Sequence, residues 1–469
     1  MIRNMSVAAA ALAAAAFAQG AQAAELTPDQ AAFRALYKEL VETNTTLSAG
    51  SCTAAAEAMA TRLKAAGYAD ADVRILAPAE RPKDGNLIAV LKGSDRKAKP
   101  ILLLAHIDVV EAKREDWERD PFTLVEENGY FYGRGATDDK AMAAALTDAM
   151  IRYKTEGFKP RRDLKLALTC GEETPDTFNG VAWLIANHPD ALAAEFALNE
   201  GAGGRVDETG KPVFLGIQAG EKVYQDFQLE TTNPGGHSSR PVKDNAIYHL
   251  AGALARLQAY DFPVAINEAT RGHFEQMAAI EGGESAKALT GAVAGDAAAI
   301  AAVARDPSRN SMMRTTCVAT MVDAGHAPNA LPQRARANVN CRVLPGESIE
   351  SVKARLVEVF ADPAITVTTV GEPSPVTPPP ALSAKIVGPA KAVAAQLWPG
   401  LPLVPAMATG ATDGRFTNAA GTPTYGLSGM LGDIDGNGAH GLNERIRVKS
   451  LYDGREFLYR VVKLYANAK

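Results

Sequence analysis

Cysteine is scarce in this sequence, and long apolar runs are absent beyond its first two dozen residues. The four cysteines among 469 residues form no CxxC pair, which argues against a zinc ribbon or a CxxC redox site. No later segment has the roughly 18 uninterrupted apolar residues of a transmembrane helix. Basic runs are also missing, and the formal charge of −5 argues against nucleic acid or an anionic membrane as the main partner. The remaining composition, 47% hydrophobic and 22% charged, is typical of a soluble globular protein.

The first 24 residues have the pattern of a secretory signal peptide. Arg3 supplies a positive charge, residues 6–17 form a short Ala-rich apolar stretch, and Ala21-Gln22-Ala23 offers small residues for cleavage. We therefore predict cleavage after Ala23 or Ala24, a periplasmic or secreted protein, and a mature charge of about −6. The alternative is an uncleaved Ala-rich helix, but a dozen such residues are too few to span a bilayer.

An oxidising compartment would allow the cysteines to form one or two disulfides. Four cysteines allow three full pairings, and the sequence does not choose among them. Buried free thiols are an equally good interpretation. The residues concerned are Cys52, Cys170, Cys317 and Cys341.

The length predicts two domains, or three, because a single core rarely serves so many residues. In the first half, strand-like runs alternate with amphipathic helices such as residues 138–154, so we expect an α/β fold with a mostly parallel sheet. These strands are predicted at residues 73–76, 86–91, 101–105, 164–169 and 196–198.

A second domain is predicted for residues 222–372. There the order strand-helix-strand-strand-helix-strand is typical of a ferredoxin-like α+β domain. An Ala-rich segment, about residues 262–314, reads as a helical insertion in it, and the proline-rich residues 373–380 read as a return linker. The α/β domain would therefore comprise residues 25–221 and 373–469.

Polar side chains follow the predicted parallel strands at the point where each strand ends. Because ligand sites in such sheets lie beyond the carboxyl ends of the strands, these side chains should meet at one edge. So many carboxylates beside an imidazole cannot all stay ionised without a cation. The triplet His106-Ile107-Asp108 alone is weak evidence for a metal site, since it also fits a strand that merely ends in polar residues. The residues are His106, Asp108, Asp138, Glu172, Glu173 and Glu200.

Seven short motifs, in this order, resemble those of the M20 family of di-zinc metallopeptidases, which includes carboxypeptidases, dipeptidases, aminoacylases and succinyl-diaminopimelate desuccinylase. The resemblance covers nearly the whole mature chain and implies a di-zinc catalytic domain with an inserted lid or dimerisation domain. The motifs are HID from 106, GRGATDDK from 133, GEE from 171, NEG from 199, GGHS from 235, NALP from 329 and HGLNE from 440.

The resemblance implies a specific set of metal ligands. Asp138 would bridge two Zn²⁺ ions, with His106 and Glu200 completing one set and Glu173 and His440 the other. A mixed nitrogen and oxygen set with open positions suits zinc, although cobalt or manganese would also fit.

The resemblance also implies the catalytic residues. Glu172 would be the general base that takes a proton from a metal-bridging water, and Asp108 would orient His106. His237 would reach a partner subunit's active site and stabilise the oxyanion, which requires a homodimer formed through the lid; the alternative is a histidine that caps a turn. The residues that match substrate-holding positions are Asn329, Arg342 and Arg415, of which Arg342 could equally be a surface strand residue.

We therefore expect hydrolysis of an amide bond in short peptides, by a carboxypeptidase or dipeptidase. The first alternative is an N-acyl-amino-acid amidohydrolase with the same chemistry. A catalytically silent metal- or peptide-binding protein is a remote alternative, because no ligand or base is missing. Two departures from the family pattern, Ala141 after DDK and Gly171 before the two glutamates, leave the subfamily and the substrate open.

Overall fold

The computed structural model describes residues 26–174 and 177–468, so the predicted signal peptide, residues 1–24, lies outside the described residues. The described residues form 14 α-helices and 18 β-strands. None of these helices is long and apolar enough to cross a membrane.

The helices are α1 (Pro28–Glu42), α2 (Cys52–Ala65), α3 (Lys140–Thr155), α4 (Gly180–Asn187), α5 (Pro189–Leu192), α6 (Ala246–Gln258), α7 (Glu268–Glu281), α8 (Gly283–Val293), α9 (Ala297–Val303), α10 (Pro307–Met313), α11 (Ile349–Phe360), α12 (Ala384–Leu397), α13 (Gly414–Ala419) and α14 (Val448–Asn467). The strands are β1 (Val73–Leu76), β2 (Asn86–Leu91), β3 (Ile101–His106), β4 (Val125–Glu127), β5 (Tyr130–Tyr132), β6 (Leu164–Thr169), β7 (Phe196–Asn199), β8 (Arg205–Val206), β9 (Pro212–Glu221), β10 (Val223–Thr232), β11 (Gly236–His237), β12 (Thr316–Ala324), β13 (Ala330–Leu331), β14 (Arg334–Val343), β15 (Thr366–Val370), β16 (Leu403–Ala408), β17 (Thr424–Gly426) and β18 (Arg445–Arg447).

A mixed sheet in the order β1-β2-β6-β3-β7-β17-β9-β16 forms the centre of the molecule. The four neighbours β6, β3, β7 and β17 run parallel, as do β9 and β16, whereas β1, β2 and the β17–β9 contact are antiparallel. Strand β3 is buried along its whole length, as its unbroken apolar sequence predicts for a sheet covered on both faces. The predicted α/β class with a mostly parallel sheet is confirmed.

A second, antiparallel sheet in the order β12-β14-β10-β15 forms the lid. Helices α6 and α11 cover one of its faces and share a separate apolar core with it. Alternation along β14, where every second side chain is buried, leaves the other face polar. The chain order β10-α6-β12-β14-α11-β15 is the predicted ferredoxin-like order.

The Ala-rich segment is helical, as predicted, but it does not pack where the prediction placed it. Its apolar side chains, among them Phe274 and Met277 of α7, belong to the core of the large sheet. Helix α7 lies against the edge strand β16. The segment is inserted between lid elements in the chain, yet it is an outer layer of the catalytic domain.

All four cysteines are disulfide-bonded, which settles the pairing that the sequence left open. Cys52 at the start of α2 is bonded to Cys170, which directly follows β6. Cys317 of β12 is bonded to Cys341, its register partner on β14. One disulfide therefore lies in each domain.

Candidate metal centre and active site

The parallel strands bring the predicted polar residues to one edge of the sheet. His106 is the last residue of β3, Glu173 lies in the turn after β6, and Glu200 directly follows β7. Asp138 precedes α3, which begins at Lys140, two residues later than predicted. His440, in the loop before β18, completes the group.

These five residues form two ligand sets that share Asp138. In the first set, His106 Nε2 lies 3.1 Å from Asp138 Oδ1 and 3.7 Å from Glu200 Oε2. In the second, His440 Nε2 lies 3.3 Å from Asp138 Oδ2 and 2.9 Å from Glu173 Oε2. Each set offers one imidazole nitrogen and two carboxylate oxygens, which fits zinc and related divalent metals.

The electrostatics of the cluster also favour cations. Hydrogen bonds to Asp138 and Glu173 raise the pKa of His440 to about 10. Burial lowers the pKa of His106, but the charge of Glu200 and hydrogen bonds that the ring donates to neighbouring carboxylates raise it well above its usual range. The carboxylates therefore stabilise positive charge at both sets, as a two-metal centre requires.

Asp108 contacts both His106 and the turn that carries Glu172 and Glu173. Its backbone carbonyl lies 3.1 Å from His106 Nδ1, whereas its carboxylate is 3.6 Å away. Nδ1 can therefore donate to the carbonyl, which leaves Nε2 free to bind a metal. The carboxylate instead accepts the backbone N–H groups of Glu172 and Glu173, at 3.3 and 3.0 Å. The sequence suggested only the link to His106.

Glu172 lies beside the two sets, in the same turn as Glu173. Burial, and then the charge of Glu200, raise its pKa well above the usual range, which makes it a stronger base. Gly171 has a φ of +91°, and a Cβ there would lie 2.3 Å from the carbonyl oxygen of Phe178. The turn therefore requires glycine at position 171.

Two other predicted residues, His237 and Asn329, lie together on the lid. Strand β11 pairs with β13, and the N–H of Ser238 donates to the Asn329 carbonyl at 3.0 Å. The His237 ring is exposed and accepts hydrogen bonds from Ser239. Within the described ranges, no hydrogen bond or ion pair joins His237 to either ligand set of its own chain.

Arg342 and Arg415 form a basic pair near the point where the chain passes between the two domains. Arg342 stacks over the Tyr224 ring at 4.7 Å, and Arg415, 8% exposed, lies 4.6 Å from the Phe416 ring. Burial lowers the pKa of Arg342, and the charge of Arg415 lowers it further. Two guanidinium groups that repel each other are suited to a carboxylate ligand.

Three further acids near the site are buried, and the sequence predicted no role for any of them. Asp413 accepts hydrogen bonds from Asn179 (2.6 Å) and Thr169 (3.0 Å), beneath the end of β6. Glu221 precedes the lid, and Glu444 ends the HGLNE motif. The segment GATDGRF, residues 410–416, contains Asp413, and the HGLNE motif contains Glu444; these two segments were the available signal in the sequence.

Comparison with known proteins agrees with this geometry. The profile of peptidase family M20/M25/M40 matches residues 102–464. The human N-fatty-acyl-amino acid synthase/hydrolase PM20D1 is 29% identical over 384 residues, which cover 80% of this chain and 75% of that protein.

Two solved structures share the fold. The M20 family metallo-carboxypeptidase Sso-CP2 from Sulfolobus solfataricus has a TM-score of 0.69 at 18% identity, covering 94% of this chain and 100% of that one. The YXEP protein of Bacillus subtilis, described as a dinuclear metal binding peptidase, has a TM-score of 0.58 at 12% identity over 92% and 97% of the two chains. The profile covers most of the sequence, and this chain therefore belongs to peptidase family M20/M25/M40.

Proposed function

We propose that this protein hydrolyses an amide bond in short peptides, as a carboxypeptidase or dipeptidase, with two Zn²⁺ ions held by the two ligand sets. The observation that carries the proposal is the shared carboxylate of Asp138, which offers one oxygen to His106 and the other to His440. A carboxylate between two N/O sets is suited to a pair of metal ions. Co²⁺ or Mn²⁺ would fit the same donors.

Glu172 would move the proton in this reaction. When bound, the two metal ions supply polarisation of the scissile carbonyl and a lowered pKa of water. Glu172 would take a proton from the attacking water and pass it to the leaving nitrogen. Asp108 holds the backbone N–H of Glu172 and so fixes the base beside the ligands.

Substrate selection would lie with the arginines. Arg342 comes from the lid and Arg415 from the catalytic domain, so a carboxylate placed between them would join the two domains around the substrate. Asn329 would add an amide contact from the lid turn. This arrangement suits a substrate with a free carboxylate, which both a peptide and an N-acyl amino acid possess.

N-acyl-amino-acid hydrolysis is therefore the second candidate. It is favoured by the similarity to PM20D1, named as an N-fatty-acyl-amino acid synthase/hydrolase. The leaving amino acid and the base would be the same, and only the acyl side would differ.

The protein would act as a homodimer through its lid. Strand β12 is an edge of the lid sheet, and its large apolar side chains Val318, Met321 and Val322 are 59%, 71% and 60% exposed. Exposed apolar edges are uncommon unless another chain covers them. His237, exposed on the same domain, would then stabilise the oxyanion in the partner's site.

A periplasmic or secreted location is also part of this proposal. It is supported by the signal-peptide pattern of residues 1–24 and by the two disulfides, which persist in oxidising compartments.

The test is mass-spectrometric product analysis of the protein without residues 1–24, with and without chelator, on dipeptides, longer peptides and N-acyl amino acids. We expect chelator-sensitive cleavage of peptides. Glu172→Gln should keep its metal and lose about 10²–10⁴-fold in kcat, whereas Glu173→Gln should lose metal. Cleavage of acyl amino acids alone would favour the second candidate, and no turnover of any substrate with metal present would favour a silent binding protein.

A further inference from the structure

Glu444, the last residue of the HGLNE motif, makes an unusual set of contacts. Its side chain is fully buried. Oε1 accepts the backbone N–H groups of Thr137 (2.7 Å) and Asp138 (3.0 Å). Oε2 accepts the N–H of Gly135 (2.9 Å) and Arg134 Nη1 (2.8 Å). One carboxylate thus satisfies three backbone donors in the segment that carries the shared ligand Asp138.

Arg134 extends the same connection to the loop that carries His440. Its Nη2 donates to the Gly441 carbonyl at 2.8 Å, and its guanidinium lies 5.0 Å from the Trp117 ring. The two segments, residues 133–139 and 437–445, are therefore joined directly beside the two ligands. We call this pair of residues, Arg134 and Glu444, the buried clamp.

The loop held by the buried clamp has an unfavourable backbone. His440 has a φ of +60° and Asn443 a φ of +55°, a region that residues other than glycine adopt rarely. Such conformations persist only where surrounding contacts hold them. Arg134 binds the Gly441 carbonyl within this stretch, and the buried Glu444 directly follows it; their contacts supply that restraint.

We propose that Glu444 is a positioning residue that fixes Asp138 and His440 relative to each other. It would thereby set the affinity for the metal ion of the second ligand set, which contains Asp138, Glu173 and His440. The inference rests on the proposed two-metal site. Each oxygen of Glu444 serves two donors, so an amide nitrogen in place of either oxygen leaves two donors without an acceptor. The segment would then shift to satisfy them, and the ligands would move apart. His106 and Glu200 lie on β3 and after β7, so the first set depends less on the buried clamp.

Asp148 provides a matched control. Its carboxylate is buried and accepts two hydrogen bonds from Arg455, at 2.7 and 3.2 Å, between α3 and α14. Asp148→Asn therefore also removes a buried carboxylate from an arginine pair, but no ligand segment is held by it. A general loss of stability would appear in both variants, whereas a positioning effect would appear only in Glu444→Gln.

The experiment is a Co²⁺ titration of chelator-stripped protein, followed by calorimetry and by the visible absorption of the bound ion. We expect two binding events in the wild type and in Asp148→Asn. In Glu444→Gln the second event should weaken by about 10- to 100-fold, with its share of the absorption lost, while the first changes less. Arg134→Lys keeps the charge but cannot reach both Glu444 and the Gly441 carbonyl, so it should show the same selective loss. It replaces Glu444→Gln as the test variant if Glu444→Gln does not fold.

Two unchanged binding events in Glu444→Gln or in Arg134→Lys would overturn the inference and leave the proposed function intact. Equal weakening in Asp148→Asn would also overturn it, because the effect would then be one of stability. Fewer than two events in the wild type would overturn the two-metal proposal together with the inference.

Discussion

Glu221 shows how a single buried acid can make stability depend on pH. Its Oε2 accepts hydrogen bonds from Thr412, and Oε1 has no partner among the described residues. Burial raises its pKa from 4.5 to about 8. Because the folded pKa lies above the unfolded one, the folded state binds the proton more tightly. The stabilisation is complete below about pH 4.5 and is lost as the pH rises towards 8.

Glu221→Gln should remove this dependence. Between about pH 4.5 and 8 the free energy of unfolding of the wild type should fall, relative to the variant, by up to about 1.4 kcal/mol per pH unit. Urea unfolding at several pH values across this window measures the difference. Glu57→Gln, on an exposed face of α2, should run parallel to the wild type, and the same parallel behaviour in Glu221→Gln would contradict the prediction.

At the residue scale, the sequence could predict which side chains meet, but not all of their contacts. His106, Glu173 and Glu200 follow parallel strands, and this alone places them at one edge of the sheet. Asp108 and Glu444 act largely through backbone groups: the Asp108 carbonyl faces His106, and the Glu444 carboxylate accepts hydrogen bonds from three backbone N–H groups. Such contacts leave no spacing pattern in a sequence. The sequence therefore suggested the link between Asp108 and His106, but the backbone contacts of Asp108 and Glu444 became visible only in the structure.

At the scale of elements, the disulfide between Cys52 and Cys170 joins α2 to the turn that carries Glu172 and Glu173. Replacing both cysteines by alanine should cost about 2–5 kcal/mol of stability and should also reduce kcat and metal retention, because the acidic turn loses its anchor. Urea unfolding, metal analysis and steady-state kinetics on the same samples measure these effects.

The lid disulfide is the natural comparison. Cys317 and Cys341 are 24 residues apart in sequence, against 118 for the other pair, so its removal should cost less stability in a chain-entropy view. It should leave metal retention unchanged, because it lies within the lid sheet. Equal loss of metal in both double variants would show that the first disulfide has no special role at the turn.

Element bounds followed the sequence closely where burial was uniform. Strands β2 and β6 begin and end where predicted, because each is a mostly apolar, buried run between polar segments. The helices between residues 268 and 313 were also predicted, but not the sheet they cover. Periodicity shows that a helix has an apolar face and says nothing about which partner buries it.

At the scale of the whole molecule, the position of His237 requires an explanation, because it is exposed on the lid and bonded to neither ligand set of its own chain within the described residues. Two arrangements would bring it to a metal centre: closure of its own lid, or a partner's lid in a homodimer. Variants with a defect in different domains distinguish the two.

Under the proposed mechanism, Glu172→Gln removes the base and His237→Ala removes the oxyanion donor, so the homodimer of either variant should be nearly inactive. In a mixed dimer purified with two tags, one site combines an intact Glu172 with the other chain's intact His237, if the histidine acts across the interface. We expect about half the wild-type kcat per dimer, since one of the two sites is complete. A mixed dimer of Glu172→Gln with the double variant should stay inactive, because neither of its chains has an intact base. If the lid of each chain closes on its own site, no mixture regains activity, because every site then lacks either its base or its histidine.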